Sequence, residues 1–256
     1  MATDVPEDLS KRPSIPDDRL VLYVKKASPT STANSVKPLM LIEALKIPHE
    51  IHIIKSTSNE TWFHDVNPYK MVPAIEDVEV YETVSGKTQR MNVFESSAAL
   101  YYLADKYDTE GIYKGRDLCE RTIIMNWLMS YTAGLGATGK WWLLLKIPRP
   151  IAIADALQVF VNSIKSEYNF LEKRLSEPGQ TYVAIADRPT IADFAIYPLA
   201  NEGVAATADI DFNEWPNLKK WSERVSSLPP VAKALYRVAR FGLSEEELKE
   251  KNLAEA

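Results

Sequence analysis

Asn67-Pro68-Tyr69-Lys70-Met71-Val72-Pro73-Ala74-Ile75-Glu76 decides how the first third of the chain is read. Asn67-Pro68 closes one segment, and Pro73 opens an apolar run that reads as a strand, a position where proline loses no ladder donor. Upstream, Leu20–Val24 (LVLYV) is a short buried strand, Val36–Leu45 carries Val36, Leu39, Met40 and Ala44 at helical spacing, and His49–Lys55 is a second strand. Strand, helix, strand in that order implies a parallel crossover. Pro38 is acceptable in the first turn, which puts the helix start near Asn34 or Ser35. Downstream, a turn near Ser85-Gly86 joins the Val72–Glu76 strand to Met91–Phe94 as an antiparallel hairpin, and Ser96–Tyr107 is an amphipathic helix. The unit is β-α-β followed by β-β-α.

From Asp117 onward strand signals become sparse. A helical run opens at Leu118-Cys119 and reaches Trp142 with one glycine-rich break, Thr132–Trp142 (TAGLGATGKWW), where three glycines invite close approach by backbone or ligand. Ile151–Leu175, Trp215–Ser227 and Val231–Arg240 are further helices, and Thr190 with Asp193 three positions on forms a capping-box variant. The division expected is a flexible tail over 1–18, a sheet-containing domain over 19–108, an all-helical domain over 116–245 and a charged peripheral tail over 246–256.

Bulk properties exclude several function classes. The chain has 256 residues, a net charge of −5 and scattered Lys and Arg, so it offers no basic field for nucleic acid. No apolar run approaches membrane-spanning length. The N-terminus lacks an export pattern, and the one cysteine, Cys119, rules out an intramolecular disulfide; a cytoplasmic location fits best. Cys119 is expected to be a packed, inert thiol. Three histidines and one cysteine show no metal-ligand spacing, so no metal is expected.

Three stretches carry chemistry: Ser31-Thr32-Ala33-Asn34-Ser35-Val36-Lys37, Asn67–Ala74 and Phe94-Glu95-Ser96-Ser97. A helix start offers free N–H groups to a carboxylate, Ser96 adds a hydroxyl, and Glu95 can pair with an ammonium; the same residues also serve as ordinary helix-start residues. Lys25–Val36 holds no cysteine, so disulfide exchange through an enzyme thiol there is excluded. Tyr23 lies inside LVLYV and either serves the site or faces the core. With the Thr190–Asp193 cap, the order of these stretches resembles the glutathione transferase superfamily from Leu20 to Arg240. It is most similar to the fungal group related to the yeast nitrogen-regulator prion protein, and within that to glutathione transferases of gliotoxin-type epipolythiodioxopiperazine biosynthesis.

The resemblance implies a thioredoxin-like N-terminal domain and an all-helical C-terminal domain. It implies glutathione as substrate, with no metal, bound by Lys70, Met71, Val72, Pro73, Glu95 and Ser96. Pro73 is then cis, Val72 pairs with the cysteinyl backbone, and Lys70 meets the glycine carboxylate; a solvated surface lysine is the competing reading. Asn34 falls at the family's thiol-contacting asparagine, with Ser31 and Ser35 as alternative donors, or else simply N-caps the helix. Lys37 is a weaker basic candidate of the same kind as Lys70. Lys140 faces the cleft and acts on the thiol or the electrophile, while Trp141 and Trp142 stack on the second substrate; two packed tryptophans beside a surface lysine is the plainer alternative. The implied activity joins the glutathione thiolate to a hydrophobic electrophile by a carbon–sulfur bond, in secondary metabolism, with a dioxopiperazine acyl imine as substrate and a homodimer as the assembly. The rivals are a non-catalytic glutathione-binding regulator and a glutathione-dependent peroxidase of the same fold.

Overall fold

A computed structural model of the chain describes residues 8–28, 31–146 and 154–253. Four strands, β1 (Leu20–Lys25), β2 (His49–Ile54), β3 (Ala74–Glu82) and β4 (Thr88–Phe94), form one sheet in the order β2-β1-β3-β4. β1 pairs parallel with β2 and antiparallel with β3, and β3–β4 is the antiparallel hairpin, turning at Gly86 with φ +76°. The central strand explains its own sequence. Leu20, Leu22 and Val24 pack under the helices, while Val21 and Tyr23 face Trp62 and Phe63 on the other side. A strand covered on both faces reads as an unbroken apolar run.

Helix α1 runs over Thr32–Ala44 and α2 over Ser96–Tyr107. The start of α1 differs from the sequence expectation. Ser31 holds the N-cap position, so Asn34 lies in the first turn rather than capping it, and Pro38 sits inside the helix. Proline has no N–H for the carbonyl four residues back, which is that of Asn34. The helix accepts the loss because its apolar face, Val36 and Leu39–Ile42, is buried.

The helical half comprises α3 (Leu118–Ala133), α4 (Leu135–Lys146), α5 (Ala154–Leu175), α6 (Ile191–Ile196), α7 (Glu202–Thr207), α8 (Pro216–Ser227), α9 (Pro229–Val238) and α10 (Glu245–Glu250). The glycine-rich break shrinks to Gly134. Gly136 and Gly139 continue α4 because a side chain at either would collide, with the Tyr131 carbonyl oxygen at 2.9 Å and with Leu199 at 2.8 Å. Thr190 caps α6 with a reciprocal bond from Asp193, which also accepts from the Val183 amide and the Trp221 indole. One apolar cluster runs from β1 through α1 and α2 into α3, α6 and α8, so the two halves share a core and the cleft between them has fixed walls.

One expectation is corrected. Cys119 is exposed, because the second residue of α3 points to solvent. Two contacts tie described residues 8–18 to the sheet: Arg12 bonds Glu76, and Arg90 donates to the Pro16 carbonyl at 2.7 Å. The C-terminal segment also touches the sheet domain. Ala27 N–H donates to Phe241 O at 2.8 Å, and Lys26 pairs with Glu247 on α10.

Candidate active site

Two contiguous clefts open where the sheet domain meets α3 and α4. The first, about 220 Å³, is lined by Asn67, Met71, Val72, Pro73, Glu95, Ser96 and Ser97 from the sheet domain. Asn34 and Lys37 complete that wall from α1, and Tyr131, Thr132, Gly136, Ala137, Lys140 and Trp141 face it. The second, about 200 Å³, is lined by Lys25, Ser31, Lys70, Leu143 and Leu199 among others. Asn34, Met71, Val72, Gly136 and Lys140 line both.

The loop before β3 is shaped by Asn67. Its buried amide donates to Met71 O at 2.7 Å and accepts from the Tyr69 amide at 2.9 Å, which holds Met71 and Val72 on the cleft. The Val72–Pro73 bond is cis. Lys70 and Glu95 both have positive φ, 52° and 69°, unusual for residues with a side chain. Strain of that kind is tolerated where the surroundings fix it, commonly at binding sites. Glu95 precedes α2 and makes no side-chain cap, so its carboxylate is free to face a ligand. Ser96 opens the helix beside it.

At the other end of the first cleft Asn34 Oδ1 accepts from Lys37 Nζ at 2.7 Å. With its oxygen so engaged, the amide presents its NH₂ as a donor. Lys37 Nζ also reaches the Tyr131 hydroxyl at 2.5 Å and Ser96 Oγ at 3.5 Å. The residue is 1% exposed. Burial pulls its pKa down to about 7, against an upward pull from the Glu95 carboxylate. Burial also raises the Tyr131 phenol. A second link joins the halves: Ser97 Oγ and Thr132 Oγ1 lie 2.8 Å apart, and because Thr132 donates to Leu128 O, Ser97 is the donor.

Of the residues singled out from sequence, Asn34, Lys140, Met71, Val72, Pro73, Glu95, Ser96 and Trp141 line the first cleft together. Lys70 and Ser31 line the second. The Ser31 hydroxyl is engaged in its own loop, donating to Lys26 O at 2.8 Å. Ser35 lines neither cleft, its Oγ buried without a partner among the described residues. Trp142 is buried in the helical core and lines neither cleft. Tyr23 faces away from the site, donating to Glu76 at 2.7 Å, with its phenol raised by burial. Tyr131 escaped sequence reasoning, and Ser97 and Thr132 lay within stretches it singled out without being given a role. They lie on helix faces whose partners come from the other domain, and no local spacing announces such a contact. Lys37 carried a weak signal, three residues after Asn34 on the same helix face. No group of three potential metal ligands occurs among the described residues.

The family model described as the glutathione S-transferase N-terminal domain matches residues 33–106, and that for the C-terminal domain matches residues 153–229. Glutathione S-transferase tcpG of Claviceps purpurea is 53% identical over 94% of this chain and 96% of its own. The trimodular acetylaranotin synthesis protein ataIMG of Aspergillus terreus is 34% identical over 79% of this chain and 20% of its own greater length. Among solved structures, a glutathione transferase homologue from Lodderomyces elongisporus, crystallised with two GSH per subunit, superposes with a TM-score of 0.72 at 27% identity. That superposition covers 84% of this chain and 97% of the other. With the sheet order, the cis proline and the two-walled cleft, these matches place the chain in the glutathione S-transferase family.

Proposed function

We propose that the chain joins the thiolate of glutathione to an electrophilic carbon of a hydrophobic small molecule. The observation that carries this reading is the meeting of the two clefts at Asn34, Val72 and Lys140. Glutathione lies along the first cleft. Its γ-glutamyl ammonium and carboxylate meet Glu95 and Ser96 at the start of α2. Its cysteinyl backbone pairs with Val72, and its glycine carboxylate turns toward Lys70. The sulfur then sits at the junction, where the Asn34 amide donates to it.

The electrophile occupies the second cleft, against Leu143 and Leu199, and extends past the junction to Trp141, which lines the first. Lys140 borders both clefts and supplies positive charge to the sulfur or to the electrophile as charge develops. Holding both reactants in register converts a bimolecular collision into a local one, and raising the thiolate fraction adds to it.

For the substrate we favour a dioxopiperazine acyl imine in a fungal biosynthetic route. Two things support it: the resemblance of the Ser31–Lys37 and Asn67–Ala74 motifs to the gliotoxin-type enzymes, and a homologous module within an acetylaranotin synthesis protein. Exposed Tyr101 on α2 and Leu118, Ile123 and Met129 on α3 support a homodimer, and the single cysteine suits the reducing cytosol.

The test is calorimetric titration of glutathione into wild type, Glu95→Ala and Ser96→Ala, followed by mass spectrometry of the product formed with an acyl imine. Each substitution is expected to weaken binding at least tenfold. Unchanged affinity in both variants would remove the glutathione site from this cleft, and tight binding without turnover on any electrophile would favour a regulator instead.

A further inference from the structure

Lys37 has an unusual set of neighbours. It lines the first cleft from beneath, yet its partners are an amide oxygen on its own helix (Asn34), a hydroxyl at the start of α2 (Ser96) and a phenol on α3 (Tyr131). Among the described residues no carboxylate lies within ion-pairing distance. The charged groups that face the same cleft are Glu95, before α2, and Lys140, on α4. A buried amine surrounded by neutral groups is stable uncharged, and gains most as an ammonium when an anion enters beside it. With the Glu95 carboxylate taken by the γ-glutamyl ammonium, the sulfur end of the cleft lacks an obvious base. The Asn34 amide donates a hydrogen bond but takes no proton, and the Ser31 hydroxyl is engaged by Lys26 O.

We propose that Lys37 is the proton acceptor for the bound glutathione thiol, its neutral amine taking the proton and then remaining in the cleft floor as the counter-ion of the thiolate. The S–H bond breaks with its electron pair left on sulfur, and the amine lone pair forms the new N–H bond. Wherever Lys37 enters as the neutral amine the proton stays in the site, and no other reactant is needed. Asn34 is left to hold sulfur, with its own orientation fixed by the same ammonium. Burial already brings the amine to about 7, within reach of a thiol whose ordinary pKa is about 8.5. The mutual attraction of the pair formed drives the transfer.

This inference rests on the reading that glutathione binds here, and the experiment separates the two. Glutathione and S-methylglutathione, which has no thiol proton, are titrated into the wild-type protein at about pH 7.5, in buffers of differing ionisation enthalpy, while ultraviolet absorbance reports thiolate. If Lys37 keeps the proton, thiolate appears with a net release, relative to S-methylglutathione, of roughly 0.2 proton. Release of roughly 0.9 proton alongside thiolate, or binding of the intact thiol, overturns the proposal and leaves the binding site standing. Binding of neither ligand overturns both. In Lys37→Met, S-methylglutathione should bind within about threefold of wild type while neutral-pH thiolate falls about tenfold. A purely structural role would shift both together. Should that variant fail to fold, the wild-type proton balance alone decides.

Discussion

Trp141 and Trp142 are neighbours in sequence and leave α4 in different directions: Trp142 is 1% exposed within the helical core, while Trp141 is 54% exposed at the rim of the first cleft. Consecutive helical residues differ by about 100° in direction, so the pair cannot share a role. Trp142→Ala removes a whole buried ring and should cost about 3–5 kcal/mol. Trp141→Ala should cost less than about 1 kcal/mol and raise KM for an aromatic electrophile several-fold, with KM for glutathione little changed. Urea denaturation and steady-state kinetics on both variants check this, and a large stability loss in Trp141→Ala would contradict the assignment.

Glu95 adopts φ 69° and ψ 124° and makes no helix cap. That backbone region is open to glycine and strained for other residues. Glu95→Gly should therefore leave the protein no less stable, and stabilise it by about 1 kcal/mol if the strain is fully relieved. The same change deletes the carboxylate offered to the γ-glutamyl ammonium, so affinity for glutathione should fall at least tenfold. Stability and affinity moving in opposite directions would mark Glu95 as held in place for binding; a loss of stability would show that its side chain supports the fold.

Lys140 borders both clefts, and its contribution should appear in the chemical step more than in ground-state binding. Lys140→Met retains the aliphatic stem and deletes the charge. We expect kcat to fall about 10- to 100-fold, with KM for glutathione within about threefold. A rise in KM for glutathione with unchanged kcat would instead make Lys140 a binding residue.

The strands and the order of motifs were legible because they are local. LVLYV is apolar throughout because β1 is covered on both faces, and Val72-Pro73 and Glu95-Ser96 sit at the ends of elements that short-range pattern defines. The misreadings share a cause. The start of α1 was drawn from Pro38 as a first-turn residue, whereas burial of Val36 and Leu39–Ile42 outweighs the missing hydrogen bond. Lys37 resembles any helical surface lysine until Tyr131, 94 positions away, is brought over it. The contacts of the two terminal segments were not legible because the partners, Glu76 for Arg12 and Lys26 for Glu247, are distant in sequence.

Burial of Lys37 also predicts how stability depends on pH. Its pKa is about 7 in the folded protein against an ordinary 10.5, so between those values the unfolded chain binds more protons than the folded one. Stability then rises with pH across that window. Below about 7 the folded state carries the full penalty of a buried ammonium, and above 10.5 both states are neutral and the penalty is gone. From about pH 7 to pH 9 the gain integrates to about 2 kcal/mol. His49 and His52, both lowered by burial, titrate below this window. The comparison is between wild type and Lys37→Met, so that the groups common to both cancel. Urea denaturation at the two pH values should show wild type gaining about 2 kcal/mol over the variant. Parallel pH profiles would mean that Lys37 stays protonated in the folded protein, and so has no vacancy for the proton of the thiol.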